Sequence, residues 1–287
     1  MPHSLANLLL ISVGNSRTRC AVAIGGTRGD EEGPGAASRG GELQPSIYLR
    51  NDELDTLPDR LGDLAAGVED LRPVIASVNN PVADRLEAAL LDYTGPADLR
   101  SPVLRMGRDI PIPVEHTLPP PVTVGQDRLL NALGAFSRST QACIVIDAGT
   151  AVTVDFVDGH GVFQGGAIAP GLRAMLAAMH EHTSALPRLD LSPDLIPGRT
   201  NPADQPWGKT TASAMTLGVV AAVRGMAHDL IDRYAEFYEA YPRVVATGGD
   251  APLLFDQDPL VEHIVPDLTL IGMLAACNIA LQADDDE

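Results

Sequence analysis

Positive charge is scarce in this sequence of 287 residues: 20 Lys and Arg face 38 Asp and Glu, a formal net charge of -18. Nucleic acids and anionic membranes are held through a net basic face, so this balance excludes a non-specific grip on either and predicts no nucleic-acid and no membrane partner. An anionic small molecule would need a local pocket or a metal ion. Cysteine is also sparse. Cys20, Cys143 and Cys277 are widely spaced, odd in number and set in apolar contexts, which makes neither a disulfide framework nor a zinc site. They are expected to be buried thiols in a reducing, cytoplasmic setting. Leu8 to Ile11 is too short for the apolar region of a signal peptide, and no apolar run approaches bilayer length, so the expectation is a chain neither exported nor membrane-spanning. Lysine is nearly absent: Lys209 is the only one among the basic residues. Either the coding sequence favours arginine, or that position needs an amine.

What is present begins with bulk. About 45% of the residues are apolar, enough for one large core or two modest ones. Two related segments lie about half the chain apart. Leu8 to Ile11 feeds Ser12-Val13-Gly14-Asn15-Ser16, and Cys143 to Ile146 feeds Asp147-Ala148-Gly149-Thr150. Each is a buried-type strand ending in a glycine turn with small hydroxyl residues, followed by a second apolar or β-branched run, Cys20 to Ile24 or Val152 to Val157. Glycine lets such a turn approach a phosphate closely with its backbone N–H groups. The copies differ in charge: the second begins with Asp147, the first with Ser12.

Around the first copy the pattern predicts an α/β order of three strands, a helix at Leu54 to Leu64, a strand at Pro73 to Val78 and a helix through Val82, Leu86 and Leu90. Gly25 to Ser46 is expected to be a long mobile loop. Proline crowds Ile110 to Pro121, which places a boundary there and predicts domains of residues 1–118 and 119–287. Beyond it come a helix from about Asp127 to Ser137, strands at Ala142 to Ile146, Thr153 to Val157 and Gly161 to Ile168, and a helix after Pro170-Gly171. A Pro-rich loop at Asp190 to Pro206 precedes a long helix from Thr211 to Tyr238, a strand at Val244 to Ala246 and a last helix from Leu268 to Leu281. Asp284 to Glu287 form a solvated acidic tail.

Several residues carry candidate chemistry. Asp127 and Arg128, in Val124-Gly125-Gln126-Asp127-Arg128, open a helix: the carboxylate either caps it or serves as general base for a substrate hydroxyl, with Arg128 clamping an anionic group. Asp147 ends a buried strand, where a carboxylate needs a cation or a capping role. Thr150 is placed to meet a phosphate. Thr247-Gly248-Gly249-Asp250 follows a strand and is placed to face a nucleotide's base or sugar. His180 and His182 lack the spacing and third ligand of a metal site.

Together, Gly14-Asn15-Ser16, Gly125-Gln126-Asp127-Arg128, Asp147-Ala148-Gly149-Thr150-Ala151, Gly165-Gly166 with Pro170-Gly171, Gly208-Lys209-Thr210-Thr211 and Thr247-Gly248-Gly249 resemble, in order and spacing, the motifs of type III pantothenate kinases. The resemblance implies two RNase H-like domains of the actin-like ATPase fold around an ATP cleft. It implies ATP-dependent phosphorylation of pantothenate to 4'-phosphopantothenate, the first step of coenzyme A biosynthesis, by a homodimer. By the same resemblance Asp127 is the proton acceptor, and Gly125, Gln126, Arg128 and Thr211 contact pantothenate. Ser12, Gly14, Asn15, Ser16, Arg17, Thr150, Gly248 and Gly249 contact ATP, Asp147 holds a monovalent cation (K+ or NH4+), and Mg2+ accompanies the nucleotide. Two positions depart from the pattern. The family has aspartate where this chain has Ser12, and a tyrosine where it has Leu118, beside the acceptor. A catalytically impaired homologue that binds nucleotide or pantothenate as a regulator, and a kinase of another small hydroxy acid, are the alternatives these departures raise.

Overall fold

The computed structural model describes residues 7–25, 41–196 and 205–285. Much of the expected loops at Gly25 to Ser46 and Asp190 to Pro206, and the end of the acidic tail, lie outside the described residues. In chain order the elements are β1 (Asn7–Val13), β2 (Arg17–Ile24), β3 (Glu42–Leu43), β4 (Ile47–Arg50), α1 (Leu57–Leu64), β5 (Leu71–Ser77), α2 (Asn80–Leu91), β6 (Leu104–Arg105) and α3 (Gln126–Ser139). There follow β7 (Cys143–Ala148), β8 (Ala151–Val157), β9 (Phe163–Pro170), α4 (Leu172–Glu181), α5 (Thr211–Tyr238), β10 (Arg243–Thr247), α6 (Ala251–Phe255), β11 (His263–Ile264) and α7 (Leu268–Asp285).

Both sheets are wound alike. In the first, β1 runs antiparallel to β2 and parallel to β5, with β6 beyond, and β4 also pairs with β2. In the second, β7 runs antiparallel to β8 and parallel to β10, with β9 and β11 at the edges. The duplicated strand and glycine turn is therefore the centre of each sheet. Central strands are covered on both faces, which is why Leu8 to Ile11 and Cys143 to Ile146 are continuously apolar. Alternation still sorts the side chains: Leu9, Ile11 and Val13 join Leu57, Leu61, Val82 and Leu86 of α1 and α2, while Leu8 and Leu10 join Leu130, Leu133, Leu270 and Met273 of α3 and α7.

That second cluster changes the domain reading. One compact unit comprises residues 1–115, 119–139 and 267–287, and the other comprises 116–118 and 140–266. The linear division at 118/119 assigned α3 and α7 to the second domain, whereas both pack on the first sheet. They meet backbone to backbone: a Cβ on Gly134 would lie 3.0 Å from the Gly272 nitrogen, and one on Gly272 would strike the Leu130 carbonyl. Only glycine permits that approach.

Smaller corrections concern the ends of elements. Glu42 and Leu43 add a short strand to β2 inside the stretch expected to be loop, and Asp284 and Asp285 continue α7. Residues 111–125 carry no helix or strand, as the prolines dictate. Helix α5 is long and apolar enough, by composition, to cross a bilayer. Its buried residues Met215, Val219, Val220, Val223, Ala227 and Ile231 instead recur at helical spacing and pack into the core of the second unit. All three cysteines are buried and unpaired, and burial pushes their thiols up to about 12.

Candidate active site

In the first unit β1 turns into β2 at Gly14–Ser16. The Gly14 N–H donates to the Arg17 carbonyl at 2.9 Å, closing the turn, so this N–H is not offered to a phosphate. Two asparagines brace the turn. Asn51 donates through Nδ2 to the carbonyls of Gly14 and Asn15 (2.9 and 3.0 Å) and accepts at Oδ1 from the buried Thr18 hydroxyl at 2.9 Å. Asn79 donates to the Asn15 carbonyl at 3.3 Å. The carbonyls of Gly14 and Asn15 are thus satisfied by side chains from outside the turn. Ser12 is half-buried near the end of β1, opposite Arg19 on β2 and Ala76 on β5. Arg19 pairs with Asp267 at 2.6 Å, and Ser46 donates to the same carboxylate. Arg17, exposed, lies over the Tyr48 ring at 5.9 Å.

The Gly125–Arg128 motif lies beside that turn. Val78 donates its N–H to the Val13 carbonyl at 3.1 Å, and its side chain would stand 3.7 Å from a Cβ on Gly125. The same Cβ would crowd the Asp127 carboxylate at 2.5 Å, so glycine makes room for Asp127 to fold back at the mouth of α3. Asp127 is half-buried, and its Oδ1 accepts the Arg128 N–H at 2.8 Å. Burial raises the Asp127 carboxyl above the usual aspartate range, opposed by the Arg128 N–H and charge. Gln126, the next residue, donates through Nε2 to the Met106 carbonyl at 3.1 Å.

In the second unit β7 ends at Asp147 and Ala148, and the Gly149 N–H closes the turn on the Ala151 carbonyl at 2.9 Å. This turn is one residue shorter than that at Gly14, with Ala148 paired to Val152 where Val13 pairs to Thr18, and again the glycine N–H is used internally. Gly248, at φ +91°, packs so tightly here that a Cβ would meet Asp147 Oδ1 at 2.5 Å and the Ala148 carbonyl. Asp147, Thr150 and Gly248-Gly249 are thus brought together at one end of the sheet. The Asp147 carboxylate and the Ala148 carbonyl are hard-oxygen donors, of the type that hard cations take. The first turn offers the hydroxyls of Ser12 and Ser16 and the amide of Asn15, and no carboxylate.

Thr211 is exposed at the start of α5, which Thr210 and Ser213 secure by a reciprocal capping box; Lys209, just before, is exposed as well. Leu118 belongs to the second unit: Thr117 donates to the Phe163 carbonyl at 3.1 Å, and Leu118 Cδ2 would lie 3.5 Å from a Cβ on Gly165.

Reading the sequence missed Asn51, Asn79 and the pair Arg173–Asp250, in which Arg173 Nη1 contacts both Asp250 oxygens at 2.7 and 2.8 Å. Asn51, Asn79 and Arg173 lie outside the glycine motifs, and Asp250, which ends one, has its partner 77 residues away. The available signal was weak: polar residues that end strands or begin helices. Asn51→Leu is expected to lower unfolding free energy by about 1–3 kcal/mol, because it orphans the buried Thr18 hydroxyl and frees two turn carbonyls. Urea denaturation measures it, and an unchanged midpoint would show that the brace is dispensable.

The repeated winding and the paired glycine turns define an actin-like fold of the ATPase and sugar-kinase class. The solved structure of (R)-2-hydroxyglutaryl-CoA dehydratase component A from Acidaminococcus fermentans matches at TM-score 0.53 over 97% of this chain and 98% of that one, at 14% identity, a likeness of fold alone. The type III pantothenate kinase profile matches residues 8–233. The type III pantothenate kinase of Rhodopirellula baltica is 37% identical over 87% of this chain and 90% of its own length; that of Rhodospirillum rubrum is 35% identical over 93% and 96%. The chain belongs to the type III pantothenate kinase family.

Proposed function

We propose that the chain performs its family's reaction, ATP-dependent phosphorylation of pantothenate to 4'-phosphopantothenate on the way to coenzyme A. Family membership supports the reaction, and the observation that carries its chemistry is Asp127. Its carboxylate is lifted by burial toward the working range of a general base and held by the Arg128 N–H. In this reading Asp127 takes the proton of the pantothenate hydroxyl as that oxygen bonds to the γ-phosphorus, and the bond to the bridging oxygen breaks to release ADP. Gly125 and Arg128 hold the acceptor, with Thr211 and Leu118 as further acceptor contacts. Ser12 and Gly14 to Arg17 serve the nucleotide from one turn, Thr150 and Gly248-Gly249 from another. Bound Mg2+ and a K+ or NH4+ ion at Asp147 supply the positive charge that phosphoryl transfer needs, in the absence of a lysine in either turn. The working form is a cytoplasmic homodimer.

Replacing K+ by Na+ at constant ionic strength is expected to lower turnover by about tenfold or more, because the ion assigned to Asp147 is the larger K+ or NH4+ and its charge supports the phosphoryl transfer. Asp147→Ala should remove the difference between the ions. Equal rates in K+ and Na+ with the natural chain would refute the cation role of Asp147.

Ser12 favours a second reading, a homologue that binds nucleotide or pantothenate without turning it over. The two readings separate on turnover by the purified protein.

A further inference from the structure

Arg173 is the second residue of α4, and its side chain is 56% exposed, whereas its partner Asp250 is only 6% exposed. Asp250 stands at the N-cap position of α6 yet accepts no N–H from that helix. Both of its carboxylate oxygens accept from Arg173 Nη1, and its backbone N–H donates to the Ala148 carbonyl at 2.9 Å. On the other side Gly171, two residues before Arg173, donates its N–H to the Thr150 carbonyl at 3.0 Å, and a Cβ there would strike the carbonyls of Gly149 and Thr150. Asp250 is therefore anchored to the turn Asp147–Thr150 directly, and Arg173 follows Gly171, which is anchored to the same turn. Neither that turn nor Thr247–Ala251 contains a lysine or arginine. A triphosphate bound there has no other cationic side chain within those two segments.

We propose that Arg173 is a nucleotide-binding residue, whose guanidinium is oriented by Asp250 to present Nε and Nη2 to a phosphate oxygen of ATP. Asp250 is the positioning residue. The proposal rests on the kinase reading and adds to it a residue outside the glycine motifs. An ordinary surface ion pair contributes little, and it needs no buried carboxylate. Here the buried member fixes the exposed one, which is the arrangement that prepares a guanidinium for a ligand. The pair is close to neutral overall, so its effect is directional hydrogen bonding rather than long-range attraction.

The test uses the full-length chain and four variants, Arg173→Met, Arg173→Lys, Asp250→Asn and the double variant Arg173→Met with Asp250→Asn, read by kcat, by KM for ATP and for pantothenate, by ADP titration and by melting temperature. Arg173→Met is expected to raise KM for ATP and weaken ADP binding by about tenfold or more, the size of one lost charge-assisted hydrogen bond, and to leave KM for pantothenate within about twofold. Arg173→Lys should recover part of the affinity. Asp250→Asn should shift KM for ATP in the same direction, and combining it with Arg173→Met should add little. A lowered melting temperature with unchanged ATP and ADP affinity would show the pair to be a structural brace and overturn the proposal. If the natural chain fails to phosphorylate pantothenate, the kinase reading falls on that result, and the ADP titrations still decide the role of Arg173. Failure of the natural chain to bind ADP overturns it as well.

Discussion

Asp127→Asn abolishes practical turnover, lowering kcat by about a hundredfold to ten-thousandfold, the range that a positioned general base contributes. Asparagine matches the aspartate in shape, and its Oδ1 can still accept the Arg128 N–H, so the start of α3 is kept and melting should stay near that of the natural chain. What is lost is the acceptor for the hydroxyl proton. The pH profile gives an independent reading. A general base works ionised, so the rate rises as pH passes upward through the Asp127 pKa. Burial is the largest influence on that carboxyl and raises it, while the Arg128 N–H and charge pull it down by less. The acid limb of kcat/KM should therefore lie above the value of about 4 typical of an exposed aspartate. Wild-type kcat in the asparagine variant, or an acid limb at the ordinary aspartate position, would remove Asp127 from the base role.

Ser12→Asp is the second large effect, and its sign is a gain. The resemblance places a carboxylate at this position to organise the metal–phosphate assembly, and serine offers only a neutral, shorter oxygen. Restoring the carboxylate is expected to raise kcat by about a hundredfold, since a charge-assisted contact to the assembly is worth a few kcal/mol and each 1.4 kcal/mol is tenfold. The site can take the new charge. Ser12 is half-buried at the turn, and its cross-strand neighbour Arg19 is already paired with Asp267, so the new carboxylate is not cancelled by a waiting cation. The measurement is kcat at saturating ATP and pantothenate. No gain would mean that serine is competent here, with the charge supplied from elsewhere in the turn's surroundings.

The two sheets were legible because their central strands announce themselves locally: a continuous apolar run, a glycine turn and a second β-branched run need no knowledge of distant residues. The long helices were legible by their apolar spacing. The destination of α3 and α7 was not, since an apolar stripe says that a helix is buried without saying against which sheet. Gly134 and Gly272, which allow the two helices to touch, look like ordinary interruptions of a helical pattern until the partner helix is in view. The same limit applies to the site. Asp127, Asp147 and Gly248 stand in compact motifs, whereas Asn51 braces the first turn from 36 or 37 residues away and Asp250 meets Arg173 across 77. Gln126 has a second task that its place inside a motif did not show: its amide donates to the Met106 carbonyl.

The direct measurement is the conversion of pantothenate by the purified full-length chain with ATP, Mg2+ and K+, following 4'-phosphopantothenate and ADP by mass spectrometry. The account predicts the two products in equal amounts, with both lost in Asp127→Asn. Release of ADP without 4'-phosphopantothenate, or no product from either the natural chain or Ser12→Asp, would contradict it.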